Sequence, residues 1–193
     1  PLTGAEFRLG RESRAEFGEP IAPELADRRT MGNSCLFQIR ETDRPQPFIP
    51  PEWAYVFPTD DDMPFREHHI GTNYWWIELG GDSGDIIGKS ERIRDELVHA
   101  LWGIWDHIKN GGDHGAENYR LEWVGALPGM RESRRLMGDY ILTESDILDH
   151  KIFNDAVCYG GWCVDLHAPH GLLDFDILPQ TVIARRSLDF AEV

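Results

Sequence analysis

This sequence lacks the usual signatures that name a function. No Gly-x-Gly-x-x-Gly follows a strand-like run, so no pyrophosphate cradle of the dinucleotide-binding type is legible. Gly80–Gly84 and Gly111–Gly115 have neither that spacing nor that context. There is no Walker loop, no Gly-x-Ser-x-Gly elbow and no His-Glu-x-x-His. Basic charge is scarce: 19 Lys and Arg stand against 34 Asp and Glu, for a net charge of -15. Such a surface repels phosphate backbones, so no nucleic-acid partner is expected. Cysteine is scarce as well. Cys35, Cys158 and Cys163 are odd in number and fit neither a disulfide framework nor a zinc knuckle, so they read as free thiols in packing roles. No apolar run approaches a membrane span, and no basic stretch precedes an apolar one as in a signal peptide. A soluble chain with no membrane partner is expected. The sequence names neither a compartment nor an oligomeric state.

What is present suits a globular domain. The chain has 193 residues, 41% hydrophobic and 27% charged, enough for one domain with a real core. A short helix is expected around Arg11–Phe17. Ser34–Glu41 reads as a strand, with Cys35, Phe37 and Ile39 alternating against Ser34, Gln38 and Arg40, apart from Leu36. Residues 43–67 carry Pro45, Pro47, Pro50, Pro51, Pro58 and Pro64 and predict an irregular surface excursion, of the kind that serves as a lid. Asn73–Leu79 is an aromatic-rich strand. The longest helix is expected from about Gly84 to Asn110, because Ile93, Leu97, Leu101, Ile104 and Ile108 form one stripe. Gly111-Gly112 stops it.

Arg120–Ala126 and a strand within Arg131–Leu142 flank the Pro128-Gly129 turn and could pair as antiparallel neighbours. Thr143-Glu144-Ser145-Asp146 starts a helix reaching about Lys151. Ala156–His167 reads as a strand broken by Gly160-Gly161, with weaker strand signals near Ile177 and Thr181–Ala184. No regular βαβ alternation is visible. The fold class expected is therefore α+β, with a mixed, mainly antiparallel sheet, one long helix and short helices.

Four segments could carry chemistry. Pro128-Gly129-Met130-Arg131-Glu132-Ser133-Arg134-Arg135 delivers three guanidinium groups and a carboxylate from a tight turn. Strand alternation would point Arg131 and Arg135 one way and Glu132 and Arg134 the other. Guanidinium groups hold carboxylates, phosphates or electron-rich ring edges with paired donors. The plainer reading is a solvated strand with ion pairs. Asp165 and His167 lie two apart on a strand and so face one side. The Asp can set the tautomer of the His and leave its other nitrogen for proton transfer. With His170 they could instead start a metal site, although no metal is assigned. Trp75 and Trp76 point to opposite faces. One suits the core and the other a stacking wall for a sugar or ring, or both pack in the core. His68 and His69 read as loop residues. Trp102–Asn110 reads as structural, with Lys109 complementing the negative helix end.

Several of these pieces together resemble the FAD-dependent oxidoreductase family, related in its flavin domain to the succinate dehydrogenase and glutathione reductase group. They are Gly4-Ala5-Glu6-Phe7 with Gly10-Arg11-Glu12, Tyr74-Trp75-Trp76-Ile77-Glu78-Leu79-Gly80-Gly81, Gly103-Ile104-Trp105-Asp106-His107-Ile108-Lys109-Asn110, Gly138-Asp139-Tyr140-Ile141-Leu142-Thr143, the stretch from Asp155 to His167, and above all Pro128-Gly129-Met130-Arg131-Glu132-Ser133-Arg134-Arg135. The resemblance runs from about residue 4 to 178. It implies FAD as cofactor, gripped mainly by a Gly-rich Rossmann segment that this sequence does not display. It also implies that residues 1–193 are a single substrate-side domain, a fragment of a longer architecture that covers the flavin and binds a small-molecule substrate.

On that reading His167, Asp165 and Arg131 are the catalytic candidates. Arg134, Arg135, Glu132, Trp75 and Trp76 are the substrate-binding candidates. No cofactor-binding residue is assigned, and autonomous catalysis is not assumed. The alternative is a stand-alone, carbohydrate-like small-ligand binding module without catalysis.

Overall fold

The computed structural model describes residues 3–70, 77–157 and 164–174, and the backbone of 180–184. Chain order is β1 (Phe7–Arg8), α1 (Arg14–Phe17), β2 (Asn33–Cys35), β3 (Phe37–Glu41), β4 (Ile77–Leu79), α2 (Ser90–Asn110), β5 (Tyr119–Val124), β6 (Arg135–Leu136), α3 (Glu144–Leu148), β7 (Val164–His167) and β8 (Gln180–Ala184). These strands form four antiparallel pairs, β1–β6, β2–β4, β3–β5 and β7–β8. The α+β class expected from the sequence is the one observed.

The stripe on α2 organises the core. Ile93, Leu97, Leu101, Ile104 and Ile108 are all buried, together with Trp105. They pack with Cys35, Phe37, Ile77 and Leu79 from β2, β3 and β4 in one hydrophobic cluster. Each Leu or Ile buried this way contributes about 1.5–3 kcal/mol. The helix starts at Ser90 instead of Gly84, because residues 86–89 form turns ahead of it. At its other end the Lys109 ammonium donates to the carbonyls of Ala116, Glu117 and Tyr119, at 2.6, 3.0 and 2.9 Å. That side chain ties the helix end to the start of β5, the structural role its position predicted.

The single strand expected over Ser34–Glu41 is two strands with different partners. Leu36 interrupts it: its side chain is 56% exposed and its carbonyl accepts from the Gly125 amide at 2.9 Å. β2 then pairs with β4, while β3 pairs with β5. Ser34 faces Glu78 across the β2–β4 ladder and exchanges both backbone hydrogen bonds with Gly129 on its other side, at 3.0 and 2.7 Å. This double pairing places the Pro128–Arg131 turn alongside β2, on the side opposite β4.

Other expectations need correction. The strand in Arg131–Leu142 shrinks to Arg135–Leu136 and pairs with β1, so β5 and β6 are not neighbours. The helix after Thr143 ends at Leu148 and opens on a capping box in which Thr143 and Asp146 satisfy each other. The proline-rich excursion is no free lid. Phe57 and Met63 are buried in the core, and the Tyr55 amide donates to the His99 carbonyl of α2 at 3.1 Å. Gly103 permits that approach, since a Cβ there would fall 2.2 Å from the Tyr55 carbonyl oxygen. Trp75, Trp76, Cys158, Cys163 and Ile177 lie outside the described residues. Among those described, Cys35 is a free, buried thiol.

Candidate functional site

The β2–β4 ladder holds a carboxylate in the core. Glu78 is only 5% exposed, flanked in sequence by the fully apolar Ile77 and Leu79. A buried carboxylate is costly unless charges and donors surround it. They do. The Arg131 guanidinium lies 2.8 Å from Glu78 Oε1, and the Ser34 hydroxyl donates to the same oxygen at 3.5 Å. Arg131 also donates to Ser34 Oγ at 3.2 Å. On the other carboxylate oxygen, His167 Nδ1 approaches to 2.9 Å, and its Nε2 stands 3.0 Å from Asp165 Oδ2.

Two carboxylates therefore alternate with a guanidinium and an imidazole in one chain of contacts. The charges balance when His167 is protonated. Its pKa is raised, first by the hydrogen bond to Glu78, against the cost of burial, and further by Asp165. The structure thus brings together three residues singled out from sequence: Arg131, Asp165 and His167. It changes one detail. The sequence left the second nitrogen of His167 for proton transfer, and in the structure that nitrogen faces Glu78.

Glu78 and Ser34 were missed as site residues. The legible signal was a carboxylate inside an otherwise apolar strand, Ile77-Glu78-Leu79, which is rare unless the group is paired. Gly171 closes over this point. Its φ is +59°, and a Cβ would fall 1.9 Å from the Glu78 carbonyl oxygen.

The other candidates go elsewhere. Arg135 donates to Glu12 at 2.6 Å and to Glu132 at 2.7 Å. Glu132 and Arg135 therefore share a side, which strict alternation would forbid; no strand runs through Arg131–Arg134 to impose it. Both line a cleft of about 320 Å³ together with Glu12, Val164 and Leu166. Strand β7 thus has two working faces: Val164 and Leu166 border the cleft, and Asp165 and His167 join Glu78. Arg134 is exposed and lies over the Phe7 ring, 5.1 Å from its centroid. His170 does not join Asp165 and His167, because its Nδ1 sits 3.2 Å from Asp82. His68, read from sequence as a loop residue, is buried beside His107 of α2 and His114 of the following turn.

The fit to a dinucleotide can be tested on the glycines after β4. Gly80 and Gly81 follow a strand and precede a helix, as a phosphate loop would. A Cβ at Gly80 would meet Ile93 at 2.6 Å, and one at Gly81 would meet the Thr30 and Pro169 carbonyls at 2.2 and 2.7 Å. The space that a pyrophosphate would need is filled by the chain itself. The strand pairs described are antiparallel, not the parallel βαβ of a dinucleotide fold. The described residues therefore do not provide the grip for the ADP half of FAD.

The chain is thus an α+β protein with a buried guanidinium–carboxylate–imidazole network. It belongs to the FAD dependent oxidoreductase family, whose pattern it matches over residues 1–189. No curated protein and no solved structure matches it significantly. Among the described residues, no helix is long and apolar enough to cross a membrane.

Proposed function

We propose that this chain forms the substrate-side part of a flavin-dependent oxidoreductase and binds a small polar substrate beside Arg131. The supporting observation is the Arg131–Glu78–His167–Asp165 network. Glu78 and Ser34 hold the guanidinium in one orientation, and a quarter of the Arg131 side chain still faces outward. A fixed guanidinium on a partly exposed side chain suits a carboxylate, a phosphate or another electron-rich oxygen.

His167 keeps the proton-handling role in altered form. Held between two carboxylates, it stores a proton and passes it by way of Asp165, which is the more exposed of its two carboxylate partners at 13%. It also fixes Glu78, and through it Arg131. Arg135 and Glu132 serve a different surface, the β7 cleft, and Arg134 lies over Phe7 outside it. The flavin supplies the redox chemistry of the family and is gripped outside the described residues of this chain.

The test is turnover in the flavin-loaded enzyme. His167→Gln is expected to lower kcat by ~10²-fold or more, in the range of general acid–base contributions. Arg131→Lys is expected to raise KM, because one ammonium replaces a two-donor fork. Near-normal kinetics in both variants would reject the assignment.

A second reading has its own observation. A cleft of about 460 Å³ is lined by Phe48, Trp102, Trp105, Trp123, Lys109 and Glu122. Aromatic faces beside charged groups suit a sugar, as in a small-ligand binding module. Saturable quenching of tryptophan fluorescence by simple sugars, in protein that gains no flavin absorbance with FAD, would favour this reading over the first.

A further inference from the structure

We propose that Asp60, His68, His107 and His114 form a binding site for one divalent transition-metal ion of the zinc type. The four residues come from three segments. Asp60 lies in the 3-10 turn of the proline-rich excursion, and His68 just beyond that excursion. His107 is on the last turn of α2, and His114 on the glycine-rich turn that follows.

Backbone carbonyls decide which ring nitrogens carry protons. His107 Nδ1 is 2.8 Å from the Phe57 carbonyl, and His68 Nε2 is 3.2 Å from the Met63 carbonyl. A carbonyl can only accept, so both of these nitrogens donate. In neutral imidazoles the remaining nitrogens, His107 Nε2 and His68 Nδ1, are acceptors, yet they face each other at 2.7 Å. A third acceptor joins them. Asp60 Oδ1 lies 3.2 Å from His107 Nε2 and 3.5 Å from His68 Nδ1.

Independently, His114 Nε2 is buried with no hydrogen-bond partner among the described residues and points to the same carboxylate oxygen at 3.7 Å. Four ligand atoms thus converge, and with the imidazoles neutral their lone pairs repel unless a metal ion or a shared proton sits among them.

The spacing fits such an ion. A tetrahedral zinc centre with bonds of about 2.0–2.1 Å has donor–donor edges of about 3.3–3.4 Å. The three separations from Asp60 Oδ1 and that between His68 and His107 run from 2.7 to 3.7 Å and straddle that value, and the ligand atoms of Asp60, His107 and His114 all lie within 4.8 Å of one another. Three imidazoles with one carboxylate suit zinc and its neighbours, whereas calcium and magnesium prefer all-oxygen shells. The two carbonyl acceptors behind His68 and His107 are the outer-shell partners such ligands normally have.

Asp60, His107 and His114 form that compact set of ligand atoms, and His68, 2.7 Å from His107 Nε2, is the group placed to complete the tetrahedron of a structural ion. The ion fastens the excursion to the end of α2.

The experiment uses the full-length protein, stripped with a chelator and checked for native far-UV circular dichroism. Calorimetric titration with Zn²⁺ is expected to give one ion per chain. Co²⁺ is expected to give the intense visible bands of four-coordination. Zn²⁺ should raise the thermal midpoint, and excess EDTA should reverse the rise. Asp60 is 65% exposed, so Asp60→Ala leaves the fold intact. It should weaken binding by at least ~10-fold, the loss expected even for an outer-shell partner. His114→Ala should do the same.

His69→Ala, one residue from the cluster and on an exposed side chain, should change nothing. The proposal is overturned if the folded protein takes up no saturable metal, which is the result expected if His68 and His107 simply share a proton. It is equally overturned by the weak bands of a six-coordinate Co²⁺ complex, or by binding that Asp60→Ala and His114→Ala leave unchanged.

Discussion

Two buried polar clusters in this chain use the same side-chain types under different electrostatics. Around Glu78, every cationic or ring group faces a carboxylate: Arg131 and His167 on Glu78, and His167 again on Asp165. Around His107, three imidazoles converge on the carboxylate of Asp60. His167 and His114 are similarly hidden, with side chains 5% and 10% exposed. Their proton affinities nevertheless move in opposite directions. His167 is raised by its hydrogen bond to Glu78, while His114 is lowered by burial and then by the neighbouring His107. Burial alone does not decide the state of a histidine; the sign of what surrounds it does.

The largest effect should come from breaking the charge alternation. Glu78→Leu leaves Arg131 and His167 facing an apolar side chain, and an uncompensated buried charge costs about 3–5 kcal/mol. Denaturant unfolding should show that loss, and most of it should remain in Glu78→Gln, which keeps the shape but also removes the charge. A Glu78→Gln variant nearly as stable as the natural protein would mean that packing, not charge, holds this site together.

A smaller effect should separate the clusters physically. Gly103→Ala drives a Cβ toward the Tyr55 carbonyl and lifts the excursion from α2. The expected cost is about 1–3 kcal/mol, typical of overpacking. Hydrogen exchange should rise in residues 55–63 and stay unchanged in β2 and β4. Uniform change across both regions would show that the clusters are not independent.

The smallest effect is a pH dependence. His167 binds its proton more tightly folded than unfolded, where its pKa is about 6.5. Its stabilising contribution is therefore full below about 6.5 and fades as pH rises through the higher folded value. Glu78 and Asp165 face it, and Arg131 faces Glu78 in turn. The stability gap between the natural protein and His167→Gln should narrow above that pH. A gap that widens with pH would reverse the assignment.

Part of this was legible in the residues themselves. The α2 stripe was written in the spacing of Ile93, Leu97, Leu101, Ile104 and Ile108, because a helical period needs no partner to be read. The pairing of Asp165 with His167 followed from the two-residue repeat of a strand, and the capping box at Thr143 from four adjacent residues. Arg131 was identified by its turn and by the family resemblance, yet its partner Glu78 stands 53 residues away, across a ladder that no local pattern announces. The regular alternation expected after Pro128 failed because Ser34 captures Gly129 and no partner strand extends the pairing through Arg134.

The sequence by itself thus determined what depends on near neighbours: helix face, strand parity, caps, charge balance and family membership. Tertiary structure alone decided which carboxylate meets which cation. It split Ser34–Glu41 between two ladders and seated the proline-rich excursion on α2. It also drew Asp60, His68, His107 and His114 to one point. The reason is physical: such contacts are selected by how buried surfaces fit and how isolated charges find partners, and both depend on residues far apart in the chain.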